Sequence, residues 1–361
     1  MKRTHDNLIE RAVICRHLSS VCICFFLMLV GTAATKAESG LNSYGFLTTE
    51  VSAYASAQGG NNVLLRNDGS NVVFENPSLI GDSTDREASI TYHRHLSETG
   101  VHAGIATYGW KVKNEHFAAG VKFLNYGKFD GYDELGNDIG SFSAQDVVLS
   151  AGWAKQMTDA LSVGVAIKPA FSHYERYNSF AIMFDAGVAY AIPKWNLDVG
   201  MALQNVGVQV VTYKQERERL PLNLSVTAGK EFEHAPFRLW MTWFALNDWN
   251  FDYVSNGENV WMGNNETSRS KGFELLLEHS LWGADFILLN DMLRLSVSYN
   301  VRRAEELKLA DGEKSLAGFS FGGGIDVKKV KVDIATAQYQ SGVWNWTFTL
   351  RTNLNYWKKE K

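Results

Sequence analysis

From about residue 88 to residue 355, bulky apolar side chains recur at every second position, with small or polar residues between them. In 344–350, Trp344, Trp346, Phe348 and Leu350 alternate with Asn345, Thr347 and Thr349, so a strand there carries a dry face and a wet face. Soluble sheets alternate too, but their dry side is usually aliphatic and meets a second sheet. Two Trp and a Phe in one short strand fit the aromatic girdle and lipid-facing wall of a transmembrane β-barrel. The same alternation predicts strands over 88–96, 101–111, 115–124, 144–155, 161–172, 179–191, 195–206, 220–230, 236–246, 273–281, 286–301, 316–327, 330–340 and 343–355. Most are close to the roughly 9 to 11 residues that a tilted strand needs to cross a bilayer.

These segments predict an all-β fold, a closed antiparallel barrel of about 14 strands spanning 88–357. The longer connections, among them 125–143, 207–219, 247–270 and 302–315, follow odd-numbered strands, while even-numbered strands end in tight turns. One rim therefore carries the loops and faces outward, and the short turns and both termini are expected in the periplasm. A cation on the lipid face near the midplane costs about 2 to 4 kcal/mol. Arg294, in phase with Ser296 and Ser298, and Lys331 and Asp333, opposite Val330, Val332 and Ile334, are accordingly expected to point into the lumen.

Residues 38–87 break the alternation. They hold the turn-rich Gly59-Gly60-Asn61-Asn62 and Asn67-Asp68-Gly69-Ser70-Asn71, then Asn76-Pro77-Ser78, where Asn-Pro favours turn initiation. Val63-Leu64-Leu65 and Val72-Val73-Phe74 need burial, so this segment is expected to be a hatch inside the barrel. Residues 1–37 have the layout of a secretory signal peptide: Lys2, Arg3, Arg11 and Arg16, the apolar run 21–30, then small residues up to Ala37.

Composition narrows the function classes. The 361 residues are 45% hydrophobic and 20% charged, with a formal net charge of −4, so no basic footprint suggests nucleic acid. The three cysteines, Cys15, Cys22 and Cys24, all precede the expected cleavage point, which leaves no thiol chemistry for the mature chain. His93 and His95 share a strand face with Thr91, but no third ligand has recognisable spacing, and lining the lumen is their expected role. There is no Gly-x-Ser-x-Gly elbow, and Gly322-Gly323-Gly324 inside a strand pattern points to close packing. No enzyme and no cofactor are expected.

Several short motifs together resemble the PorQ family of the Bacteroidetes type IX secretion system, within the wider FadL-like group of outer-membrane barrels. They are Asn76-Pro77-Ser78-Leu79, Tyr126-Gly127-x-Phe129, Leu220-Pro221-Leu222, His234-Ala235-Pro236-Phe237-Arg238, and Tyr299-Asn300 followed by Arg302-Arg303 and Glu306-Leu307-Lys308. Gln338-Tyr339 with Gly342 closes the set, and Ser78 stands where related barrels often have Ala. The resemblance implies a hatched barrel in a Gram-negative outer membrane, in contact with its lipid and lipopolysaccharide. It also implies a non-enzymatic role in the attachment complex: anchoring a PorZ-like surface protein beside a PorU-like sortase and a PorV-like barrel.

If a partner docks on the outer loops, the docking surface is formed by 125–143, 207–219, 247–270 and 302–315, and Trp249, Phe251, Tyr253 and Trp261, with Arg217, Arg219, Arg302 and Arg303, are the candidate contacts, because interface hot spots favour aromatics and Arg. Packing of the loops on one another is the alternative role of those aromatics. The competing function is a FadL-like channel for hydrophobic small molecules. That reading predicts an apolar lumen pocket and a strand break beside the hatch.

Overall fold

The computed structural model describes residues 44–95, 100–213, 217–249, 253–254, 267–268, 273–307, 316–340 and 343–357. The expected leader lies outside these residues. Fourteen antiparallel strands close on themselves in sequence order, with the first paired to the last. They are β1 Glu87–His95, β2 Val101–Val112, β3 Glu115–Tyr132, β4 Asp138–Gln156, β5 Leu161–Tyr174, β6 Tyr177–Ile192 and β7 Leu197–Val211, then β8 Asn223–Glu231, β9 Phe237–Trp243, β10 Ser280–Leu288, β11 Leu293–Asn300, β12 Phe319–Val327, β13 Val330–Gln340 and β14 Val343–Asn353. Closure runs through the register from Glu87↔Asn353 to Arg94↔Trp346. No strand edge is left open to hydrocarbon, which a bilayer requires.

The two faces of β14 are those the alternation predicts. Asn345, Thr347 and Thr349 are buried, whereas Phe348 is 45% and Leu350 50% exposed. The same outward apolar wall continues through Ile90 on β1, Val332 and Ile334 on β13 and Phe321 and Ile325 on β12. At the short-turn rim, Trp110 stacks on Phe117 and Trp153 donates Nε1–H to Glu115, as in an interfacial girdle.

The strand ends depart from the alternation most in two regions, and less at β7–β8, where β7 continues through 207–211, expected as loop, and β8 begins only at Asn223. The stretch 273–281 is helix α2, Phe273–Glu278, and β10 begins only at Ser280. Its Leu275-Leu276-Leu277 run between two glutamates has no period of two, so a helix satisfies its backbone. Residues 282–285, expected as a turn, lie within β10, and 286–301 is cut by a turn in which Leu289, Asn290 and Asp291 all have positive φ. Asn and Asp tolerate that conformation through local hydrogen bonds. The second departure is 125–143, expected as a loop: β3 and β4 run through most of it and meet at the turn 133–137.

Residues 44–86 fill the lumen. Helix α1, Ala53–Ala57, starts at Ser52, whose side chain accepts the Ala55 N–H, and its alanines let it lie directly on the wall. A Cβ on Gly322 would stand 2.4 Å from the Ala57 Cβ, so the glycine run of β12 gives the helix room. Tyr44, Phe46, Val51, Leu65, Val72, Val73, Phe74 and Ile80 form the core with inward wall residues such as Ala118, Val148 and Met183. The hatch thus supplies a dry core to a cylinder whose own inward face is mostly polar.

Candidate functional site

The hatch–wall interface brings together the largest set of buried polar and charged side chains. Asn76-Pro77-Ser78 forms a tight turn: Asn76 Oδ1 accepts from Ser78 N at 3.1 Å and Ser78 Oγ at 2.7 Å, and Asn76 Nδ2 donates to Val63 O at 2.7 Å. It docks against Gly164 of β5 and Gly187 of β6, which face each other in the register. A Cβ on Gly164 would stand 2.4 Å from the Pro77 carbonyl carbon, and one on Gly187 would lie 1.9 Å from Asn76 Oδ1. Only glycine lets the turn approach the wall this closely.

Charge holds the β10–β14 side. Asp333 Oδ1 accepts from Arg294 at 2.6 Å and Oδ2 from Arg351 at 2.8 Å, with all three side chains largely buried. The Arg294 guanidinium lies 3.5 Å over the Tyr54 ring, a short cation–π contact to the hatch helix. Tyr54 Oη and Gln58 Nε2 donate to Asp285 of β10 at 2.9 and 2.7 Å. Arg303, on helix α3 (Val301–Glu306), reaches inward, donating to Gly59 O and Ser320 Oγ, each at 3.1 Å. His93 bonds Thr347 through Nδ1 at 2.8 Å, and the side chain of His95 lies outside the described residues.

On the β3–β7 side the wall is interrupted. The β4–β5 ladder skips from Val148↔Ala170 to Ala151↔Ile167 around Pro169, which has no N–H to give. The β6–β7 register shifts between Phe184 and Ala186, where Asn205 has φ +61°. A buried cluster seals this break: Lys168 Nζ lies 2.6 Å from both Asp185 Oδ2 and Asn205 Oδ1, and Asp185 Oδ1 accepts the Asn205 N–H at 2.7 Å. Asn205 Nδ2 continues to Pro221 O at 3.0 Å. Between this cluster and the hatch lies a cavity of about 30 Å³ lined by Glu75, Lys122, Lys168, Gln204, Asn205 and Asn223, room for a water or two. Burial pushes the Glu75 carboxyl above its ordinary range, and it pushes Asp68 up to about 6.

Among the sequence-predicted docking residues, Trp249 is half-exposed, donates Nε1–H to Leu246 O at 2.8 Å and packs tilted against His279 with centroids 4.4 Å apart. Arg217 and Arg219 are exposed on the β7–β8 connection. Arg302 pairs with Glu306 at 2.6 Å, while Arg303 is buried in the contacts given above. Phe251 and Trp261 lie outside the described residues, as does the Tyr253 side chain; the Tyr253 backbone pairs with Ser268. The sequence places 125–143 among the outer docking loops but does not announce that it is the protruding end of the β3–β4 hairpin, although the facing Phe129 and Phe142 are a visible signal. Among the described residues, no three His, Cys, Asp or Glu side chains converge as metal ligands.

No family model matches the chain, and no curated protein matches it. Solved structures do. The toluene transporter TbuX of Ralstonia pickettii aligns over 85% of this chain and 99% of its own, at 12% identity and a TM-score of 0.51. A TodX monoaromatic hydrocarbon channel mutant aligns over 84% and 99%, at 12% identity and a TM-score of 0.52. A Pseudomonas aeruginosa FadL homologue covers 85% and 98%, at 10% identity and a TM-score of 0.46. The chain shares the 14-stranded, hatched FadL-like barrel fold of the first two.

Proposed function

We infer that this protein is an outer-membrane barrel that works at its outer surface rather than through its lumen, as a non-enzymatic anchor for a surface protein. The observation that carries this reading is the hatch, which among the described residues packs a dry core against the inner wall. The hatch is tied to the wall by the Asp333, Asp285 and Arg303 contacts, and the cavity between it and Lys168, about 30 Å³, has Glu75 and Lys122 as well as Leu47 and Phe74 in its lining; a separate cavity of about 290 Å³ lies at β4–β7 beside Phe171, Phe180 and Val211. An apolar solute crossing there would strip buried charges of their partners, which costs several kcal/mol per group. By the PorQ-like motifs, the anchored protein is PorZ-like and the neighbours are a PorU-like sortase and a PorV-like barrel. The test is purification of the protein from its native outer membrane in gentle detergent, with the bound proteins identified by mass. Recovery of a surface protein in stoichiometric amount supports the anchor; recovery of the barrel alone contradicts it.

A second reading, a channel for hydrophobic small molecules, is favoured by a fold shared with hydrocarbon channels and by the wall interruption at Pro169 and Asn205. In that reading the Lys168–Asp185–Asn205 cluster is a closed gate beside the hatch. Uptake of a labelled aromatic hydrocarbon into cells, lost on deletion of the barrel and unaffected by any surface partner, would favour it over the anchor.

A further inference from the structure

The outer end of the β3–β4 hairpin is built unlike the rest of the barrel. Pairing of β3 with β2 stops at Asn125↔His102, and pairing of β4 with β5 stops at Ala144↔Tyr174, followed by one bond from Glu175 N to Ser143 O. Beyond these points Lys128↔Ser143, Phe129↔Phe142, Asp130↔Ser141, Gly131↔Gly140 and Tyr132↔Asp138 pair only with each other. At roughly 3.3 Å per residue, this ribbon rises about 15 Å past the neighbouring strands. Among the described residues nothing pairs with the far edge of Asp138–Phe142. Gly140, at φ +98° with its N–H donated to Asp138 Oδ1, puts a bulge in this edge, and the extended residues on either side of it remain a template for another strand.

The ribbon lies in water, not lipid. Outward positions of this hairpin are apolar at Val121, Phe123, Val147 and Leu149, then turn polar at Asn125 and Gln145 and stay polar at Lys128 and Ser143. Beyond that boundary, Tyr132 is 62%, Ile139 67% and Leu135 88% exposed, and Phe129 and Phe142 stack with centroids 5.3 Å apart while still partly open. Phe142 is in phase with Ala144 and Asp146, so this aromatic pair faces over the mouth of the barrel. Around it stand four carboxylates, Asp130, Asp133, Glu134 and Asp138, against the single Lys128. Asp133 is occupied in holding the tip, accepting from Leu135 N and Asn137 N, whereas Asp130 and Glu134 are exposed.

We propose that the β4 edge Asp138–Phe142 accepts an extended, cationic segment of a cell-surface protein as an added strand, its apolar side chains against Phe129 and Phe142 and its Lys or Arg against Asp130 and Glu134. Main-chain hydrogen bonds supply the affinity of such an added strand, and the side chains supply its specificity. This inference rests on the anchor reading and narrows its docking loops to one strand edge within 125–143 and to one mode of binding.

The experiment places a photo-crosslinking amino acid at Leu135 or at Ile139 of the full chain in its native cells, with Met157 on the opposite rim as the control position. The expected result is one adduct with a surface protein, mapped to a peptide bearing Lys or Arg, and none from Met157. Asp130→Asn with Glu134→Gln, or washing the cells in about 0.5 M salt, should lower the adduct yield about threefold or more, because screened or removed charge no longer steers the segment. Adducts only with lipopolysaccharide, only with a second copy of the barrel, or with a yield indifferent to both treatments would overturn the proposal. If Phe142→Ser and the two charge substitutions leave co-purification of the surface protein intact, the anchor stands and the ribbon contact falls. If the unmodified barrel brings down no surface protein, both fall.

Discussion

Asp333 is the residue on which the charged side of the hatch interface turns. One carboxylate holds two guanidinium groups, and one of these stacks on the hatch helix. Asp333→Asn removes the carboxylate that both buried guanidinium groups share, and breaking a buried pair from one side costs about 3 to 5 kcal/mol. Denaturant unfolding in micelles, followed by the heat-modifiable migration typical of barrels, should show a lower midpoint of that size. Acidity acts at the same scale. Asp68, raised from 3.8 to about 6, and Glu75, also raised, hold a proton more tightly folded than unfolded. Their stabilising contribution is therefore fully present below the unfolded values and is lost as pH rises through the folded ones. The unfolding free energy should be higher near pH 5 than near pH 7.5, by about 1 to 3 kcal/mol, with the midpoint moving the same way, and Asp68→Asn with Glu75→Gln should flatten the difference. A midpoint that rises with pH would contradict the burial of these carboxyls.

Among the elements, strands were legible wherever one face meets lipid and the other a polar lumen. β14 could be read from its own alternation, and Arg294 and Asp333 could be placed inward because a lipid-facing charge is so costly. Where neither face meets lipid, the signal fails: the β3–β4 ribbon has no membrane to impose alternation, and helix α2 sits between strands with its own leucine run. The hatch was legible as a segment that needed burial, but its seat was not. Nothing in the separate strings around Gly164, Gly187 and Asn76 announces that they meet. Two substitutions test these elements. Phe348→Arg, on the lipid face, should cost about 2 to 4 kcal/mol if it lies near the midplane. Gly187→Ala should displace the Asn76 turn and cost about 1 to 3 kcal/mol through overpacking. Its readout is limited proteolysis, with new cleavage between residues 60 and 86 while the barrel itself stays intact.

For the whole molecule, closure of the cylinder and occupation of its lumen are separate facts with different consequences. Closure satisfies the backbone in the bilayer and is common to this chain and the hydrocarbon channels of the same fold. Occupation by a hatch tied through buried charges is the feature on which the proposed surface role rests. Residue-level chemistry of the candidate site was partly visible in advance: Asn76-Pro77-Ser78, Arg294 and Asp333 were singled out. Lys168, Asp185 and Asn205 were not, because a wall interruption depends on register between strands far apart in sequence. The most direct measurement locks the hatch to the wall. Ala57 and Ala335 pack together, and the described residues contain no cysteine, so Ala57→Cys with Ala335→Cys provides a single switchable bridge. Co-purification of the surface protein from native membranes should be the same with the bridge oxidised or reduced. Loss of the surface protein on oxidation, or hydrocarbon uptake that stops on oxidation and returns on reduction, would contradict a function that lies outside the lumen.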